Sequence, residues 1–261
     1  MKCAHVIVGL AFAVVLVAVT APPKPTLTVV EDFSGSLDEQ SFAEARATLT
    51  EEIPGLIEEL GIERFEVRTF DIDGWQSRRV TDCSLPTLEL PVEEPRTGNE
   101  SLGFKNIAEA DRDDRERRRT IKIDSAKAAY HRKLEPILKT ALPLPGPSDK
   151  YESPSSDIAG VFEYIASLTA VQPTYVILLT DLADTAYKEL PVLRVPRGNV
   201  HVVVVLVPAK PSEITRTYGR FLTGARQFEL RVGQMHRAAP WALVVPHTSH
   251  GYIDLLRQVR R

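Results

Sequence analysis

The stretch Thr26 to Leu37, TLTVVEDFSGSL, constrains the fold more than any other part of the chain. A β-branched and aliphatic run, Leu27 to Val30, reads as a buried strand. It gives way at Asp32-Phe33-Ser34-Gly35-Ser36, and from about Asp38 the pattern turns helical. Asp32, Ser34 and Ser36 are short oxygen-bearing side chains set two apart, where a strand yields to a helix. Open α/β sheets bind ligands outside the carboxyl ends of their strands. A loop there can aim these side chains at one centre, and hard cations such as Mg2+ take oxygen ligands.

Two later segments have related features. In Ser153 to Leu168 the residues Ile158, Val161, Phe162, Ile165 and Leu168 form one helical stripe, with Ser156 as N-cap or pre-helical residue. In Thr174 to Asp184 the run Tyr175 to Leu179 suits a strand covered on both faces, and Thr180-Asp181 stands at its end. Asp184 reads as the cap of a short helix before Leu190.

Asp32-Phe33-Ser34-Gly35-Ser36 resembles the first motif of the von Willebrand factor type A (VWA) family, which opens its metal-ion-dependent adhesion site (MIDAS). The resemblance implies that Ser156, in Ser156-Asp157-Ile158, stands for a threonine ligand ahead of a helix, with Ser155 as an alternative. A serine hydroxyl is an equivalent oxygen donor. It also implies that Asp181 stands for the acid of a Thr/Ser-Asp-Gly turn, which reaches the metal through water. Leu182 occupies the usual glycine position, which puts the shape of that turn in question. The implied ligand set is Asp32, Ser34, Ser36, Ser156 and Asp181, and the implied ion Mg2+ (or Mn2+ or Ca2+). Neutral hydroxyls leave such an ion electron-poor, ready to take a carboxylate from a protein partner presenting an acidic residue. Two plainer readings of the same residues stay open. Ser156 caps a helix, or Asp32, Ser34 and Ser36 hold their loop by mutual hydrogen bonds around an empty site.

Strand and helix alternate through the rest of the chain. Phe42, Ala45, Leu49, Ile53, Leu56, Ile57 and Leu60 recur at helical spacing, with a kink expected near Pro54 and a stop at Gly61. Phe65 to Ile72 alternates as a strand, and Val80 to Leu90 reads as an edge strand because of Pro86 and Pro91. His201 to Val207 (strand), Glu213 to Arg226 (helix), Trp241 to Val245 (strand) and Tyr252 to Val259 (helix) follow. The expected class is α/β: a doubly wound, mostly parallel sheet with helices on both faces, the Rossmann-like VWA arrangement. Residues 26–261 form this domain, with 97–142 as a charged helical insert. Asp111 to Arg119, DRDDRERRR, reads as a solvated helix laced with ion pairs, or else as a basic patch for an acidic partner. Beyond it Ile123, Tyr130, Leu134, Ile137 and Leu138 should pack on the domain, and Pro136 should end or bend the helix. Leu144 to Pro154 reads as a loop.

Residues 1–25 stand outside the fold. Lys2 and an apolar run from Val6 to Val19 read as a secretory signal peptide, with small residues at Val19-Thr20-Ala21. Pro22 disfavours cleavage there. Residues 3–23 carry no Lys, Arg, Asp or Glu, so they also suit an uncleaved membrane anchor followed by a Pro-rich spacer. The expected location is therefore exported: periplasmic, extracellular or membrane-anchored. A net charge of -3 implies no attraction to nucleic acid. The 2 cysteines, Cys3 and Cys83, give no disulfide framework. No Gly-x-Ser-x-Gly elbow, P-loop or Gly-x-Gly-x-x-Gly occurs, so no enzyme is expected and no catalytic residue is assigned. The alternative from another class is a metal-dependent hydrolase on a doubly wound sheet; separately, His247 and His250 flank a Ser/Thr turn after the last strand that could face the edge of Ser34, but nothing marks that serine as the nucleophile of a triad.

Overall fold

The computed structural model describes residues 24–70, 78–91, 105–142, 156–168, 170–186, 191–219 and 221–259. The expectations for residues 1–23, for the loop 144–154 and for Ser155 lie outside the described residues. The described strands are β1 (Thr26–Asp32), β2 (Arg64–Phe70), β3 (Arg78–Ser84), β4 (Ala170–Thr180), β5 (Gly198–Leu206) and β6 (Leu243–Pro246). The helices are α1 (Glu39–Leu60), α2 (Lys105–Ala141), α3 (Ile158–Ser167), α4 (Pro211–Tyr218), α5 (Phe221–Ala238) and α6 (Tyr252–Gln258).

One 6-stranded sheet has the order β3-β2-β1-β4-β5-β6. Every pairing is parallel except β2 with β3. The fold is thus α/β with a mostly parallel sheet. From β1 the chain moves outward to β2 and β3, then returns to place β4 on the other side of β1. The order reverses between β1 and β4, and crevices form at such points.

Alternation along β1 divides the core into two. Leu27 and Val29 join Phe42, Ala45, Leu49, Ile53 and Leu56 of α1 with Tyr252 and Leu256 of α6. Val30 joins Ile158, Val161, Phe162 and Ile165 of α3 with Met235 of α5. Apolar residues of α1 and α6 thus share one core cluster with the sheet and those of α3 and α5 the other, and β5 carries a continuous buried apolar run, Val202 to Val205.

α1 starts at Asp38, whose carboxylate accepts from the Ser41 backbone N–H and hydroxyl. It stops at Gly61, which takes the left-handed conformation, φ 62°, that favours glycine. Pro54 lies inside α1 on its exposed side.

Four boundaries differ from the sequence expectation. β3 ends at Ser84, ahead of both prolines, where Leu85 turns inward and its N–H bonds to the Glu63 carbonyl. Pro136 does not end α2, which continues to Ala141. An interior proline costs about 3 kcal/mol, but Tyr130, Leu134, Leu138 and Ala141 are buried in the α1-side core and outweigh it. The expected helix Glu213 to Arg226 is two helices, because the chain turns at Gly219, φ 93°, and α5 then runs on to Ala238. The N-cap of α3 is Asp157, which accepts from the Gly160 N–H at 2.7 Å. A Cβ at position 160 would collide with that carboxylate. From Asp114 to Lys122 every side chain of α2 is exposed, as a solvated charged helix requires.

Candidate metal centre

The five residues singled out by resemblance lie in three segments, 32–36, 156 and 181, and the fold brings them together. β1 and β4 are neighbours, with Glu31 opposite Leu179, so Asp32 and Thr180 end adjacent strands side by side. Residues of β1 alternate between faces, which sends Asp32 toward the α3 side, where Ser156 waits ahead of the helix.

The turn after β1 is pinned from outside. The Phe33 N–H bonds to the Phe70 carbonyl, the Asp38 N–H to Pro208, and the Lys210 N–H to the Ser36 carbonyl at 2.6 Å. The other two loops are interlocked. The Ser156 N–H donates to the Thr185 hydroxyl at 2.9 Å, while the Thr185 and Ala186 N–H groups donate to the Ser156 carbonyl. The short helix expected after Asp184 falls on residues 187–190, outside the described residues. Asp184 Oδ2 accepts from the Ala159 N–H at 2.7 Å, which helps hold the start of α3.

Hydrogen bonds join the side chains. Asp32 Oδ1 accepts from the Ser34 N–H at 2.8 Å and the Ser156 hydroxyl at 3.1 Å. Its Oδ2 accepts from the Thr180 hydroxyl at 2.8 Å. The Ser34 and Ser36 hydroxyls are 2.9 Å apart, and Ser36 donates to Asp181 Oδ2 at 2.7 Å. Asp181 Oδ1 accepts from the Ala183 N–H. Thr180 is a further member of the cluster, absent from the ligand set that the resemblance implies. Its signal is nevertheless in the sequence: it directly precedes Asp181 at the end of the strand beside Asp32.

Asp32 and Asp181 are fully buried, and among the described residues no Lys, Arg or His pairs with either. Burial, then the negative charge of Asp32, push the Asp181 carboxyl up to about 7. Burial raises Asp32 too, against the hydrogen bonds from Ser34, Thr180 and Ser156. Uncompensated buried carboxylates are unfavourable unless a cation joins them. The donor set is oxygen only, which suits Mg2+, Mn2+ or Ca2+ and excludes a thiolate site. No group of three or more His, Cys, Asp or Glu gathers among the described residues, so this cluster depends on hydroxyls.

Leu182 answers the question left by the missing glycine. It adopts φ 58°, the one non-glycine residue with positive φ among the described residues. The turn keeps the left-handed conformation, and the Leu182 side chain is buried in the α3-side core. At ordinary positions Gly is less stable than Ala by about 0.5–1 kcal/mol. Here the left-handed backbone costs an L-residue about 1–2 kcal/mol. Leu182→Ala should therefore lose about 2–5 kcal/mol, and Leu182→Gly should be no worse. Urea denaturation of both variants checks the order; Gly clearly below Ala would remove the strain argument.

The two histidines considered for a hydrolase follow β6, at the carboxyl edge of the sheet. His250 faces Glu52 at 3.9 Å, and His247 sits on the turn after β6 with its N–H bonded to the Leu206 carbonyl.

No protein-family model and no curated protein matches the chain. Among solved structures it is similar to proximal thread matrix protein 1 from the mussel byssus, at 11% identity and TM-score 0.36. That match covers 81% of this chain and 48% of the mussel protein, so the chain spans about half its length. It is also similar to an aerotolerance-related membrane protein from Bacteroides fragilis, at 10% identity and TM-score 0.38, over 90% of this chain and 96% of the other. Likenesses this distant say nothing about a shared function.

Proposed function

We propose that the chain is an exported VWA-like interaction module on a doubly wound sheet, binding a protein partner through a divalent cation. Asp32, Ser34, Ser36, Ser156 and Asp181 would hold the ion, with Mg2+ as first choice and Mn2+ or Ca2+ as substitutes. The carrying observation is a pair of fully buried carboxylates, set among hydroxyls, with no paired cation among the described residues. When bound, the ion supplies a Lewis-acidic position for a carboxylate of the partner. The chain's own groups do the positioning. The Ser34 N–H and Thr180 hydroxyl orient Asp32, the Ala183 N–H orients Asp181, and the Asp184–Ala159 bond fixes the loop that carries Ser156. Export rests on the apolar run before Pro22, read as a signal peptide or anchor.

A second reading has its own support. Side-chain hydrogen bonds together with the Ser34 N–H, which donates to Asp32, already link all five residues, as a scaffold with an empty site would need. A pull-down from extract with Mg2+ separates the two. The interaction module retains a partner that EDTA releases and Mg2+ restores, and Asp32→Ala abolishes the retention. Retention indifferent to EDTA favours the scaffold.

A further inference from the structure

An open surface cavity of about 390 Å3, its rim formed by exposed residues, lies beside the metal centre, between the loop 184–185 and helices α4 and α5. Its wall is continuous with the centre. Thr185 lines the cavity and also holds Ser156 through two hydrogen bonds. Asp184 lines it and fixes the start of α3. Tyr218, on the opposite wall, has its hydroxyl pKa raised by burial and then by the charge of Asp181. The charges in the wall balance, since Arg231 reaches Asp184 at 3.6 Å and its Nε donates to the Asp184 carbonyl at 2.8 Å. What remains is neutral and mixed. Gln227 and Gln234 offer amides, Tyr218 a ring and a hydroxyl, and Leu230 is an exposed apolar lip at 57%.

We propose that this cavity is the second half of the partner site. It takes the side chain neighbouring the metal-bound carboxylate, a large uncharged group with an apolar body and a polar tip, as in tyrosine or glutamine. The inference rests on the divalent-cation reading of the centre. A charged side chain would enter a wall whose own charges are already matched, at a desolvation cost with no partner to offset it. An aliphatic one would leave the amides of Gln227 and Gln234 without exchange for water. A large group with a polar tip meets both conditions, and 390 Å3 is ample for it.

The test uses a displayed library of pentapeptides with a fixed central Asp and random flanks, selected on the immobilised full chain with Mg2+. A parallel library has Ala in place of the Asp. The expected result is Asp-dependent, EDTA-sensitive selection, with tyrosine or glutamine enriched about tenfold or more at one fixed offset. Leu230→Asp and Gln234→Glu alter exposed lip residues, so the fold should hold, as an unchanged melting curve would verify. Both variants should keep the Asp requirement and lose the flank preference. Asp-dependent selection with no flank preference, or with one that survives both variants, overturns the cavity assignment and leaves the metal centre standing. Absence of Mg2+-dependent selection with the Asp library overturns both.

Discussion

Arg46→Met lowers the stability of the metal-free protein at pH 8 by about 3–5 kcal/mol, the usual result of removing one partner from a buried ion pair. Glu31 is fully buried on β1, facing α1 because it alternates with Asp32 along the strand. Arg46 Nε donates to Glu31 Oε1 at 2.7 Å, while Oε2 has no hydrogen-bond partner among the described residues. Burial pushes the Glu31 carboxyl up to about 7 even though Arg46 opposes it. A carboxyl raised above its usual 4.5 stabilises the fold fully below that value and loses this contribution as the pH rises through about 7. Without Arg46 the pKa rises further, so the loss should be large at pH 8 and small at pH 5. Adding Glu31→Gln removes the stranded charge and should recover most of the loss at pH 8. The melting temperature of Arg46→Met should fall by on the order of 10 °C. A drop equal at both pH values would mean that packing on Phe42, over which the guanidinium lies at 5.7 Å, matters more than charge.

Asp181→Asn should do the opposite in the metal-free protein, raising its melting temperature at pH 8 by several degrees, and should abolish any stabilisation by Mg2+. The Asp181 carboxyl stands at about 7 against a usual 3.8, so folding favours the protonated form between those values. The contribution of Asp181 to the stability of the metal-free wild type is then full near pH 4 and is lost as the pH climbs through 7. Asn keeps the acceptor for the Ala183 N–H and can turn its amide toward the Ser36 hydroxyl, while removing the charge. The gain is on the order of 1–4 kcal/mol at pH 8, since a tenfold change in proton affinity is worth about 1.4 kcal/mol, and it vanishes near pH 4. A bound cation keeps both carboxylates ionised, so Mg2+ should flatten the wild-type pH profile and leave that of Asp181→Asn unchanged. Melting curves with Mg2+ or EDTA, at pH 5 and pH 8, measure all of this. Destabilisation at pH 8 would show that the carboxylate is better compensated than its surroundings indicate.

Much of the fold was legible because its signals were local. Apolar runs such as Tyr175 to Leu179 and Val202 to Val205 can hardly be anything but covered strands, and the stripe from Phe42 to Ile57 has one helical reading. The oxygen-bearing loops were legible for the same reason, since each stands where such a run ends. What escaped the sequence depends on distant partners. α5 carries polar residues around few apolar anchors, and Met235 marks it as packed only once the core it shares with Val30 and α3 is known. The Glu31–Arg46 pair spans two elements, and nothing local distinguishes Glu31 from any solvated acid. Pro136 reads as a stop until the burial of Leu138 and Ala141 beyond it is known. Asp184 had a local reading as a cap, and nothing near it in the sequence shows that its Oδ2 accepts from the Ala159 N–H, 25 residues away.

The central claim is that Asp32, Ser34, Ser36, Ser156 and Asp181 bind a divalent cation, and calorimetric titration with Mg2+ and with Mn2+ tests it most directly. The wild type should give saturable binding to one site. Asp32→Ala should bind about tenfold weaker or not at all, since it removes charge as well as a ligand position. Ser34→Ala should weaken binding and still unfold cooperatively, because the turn is held by backbone bonds from Phe33, Asp38 and Lys210. Equal weak heats from the wild type and Asp32→Ala would contradict the account, leaving a hydrogen-bonded cluster that holds three loops together and binds no metal.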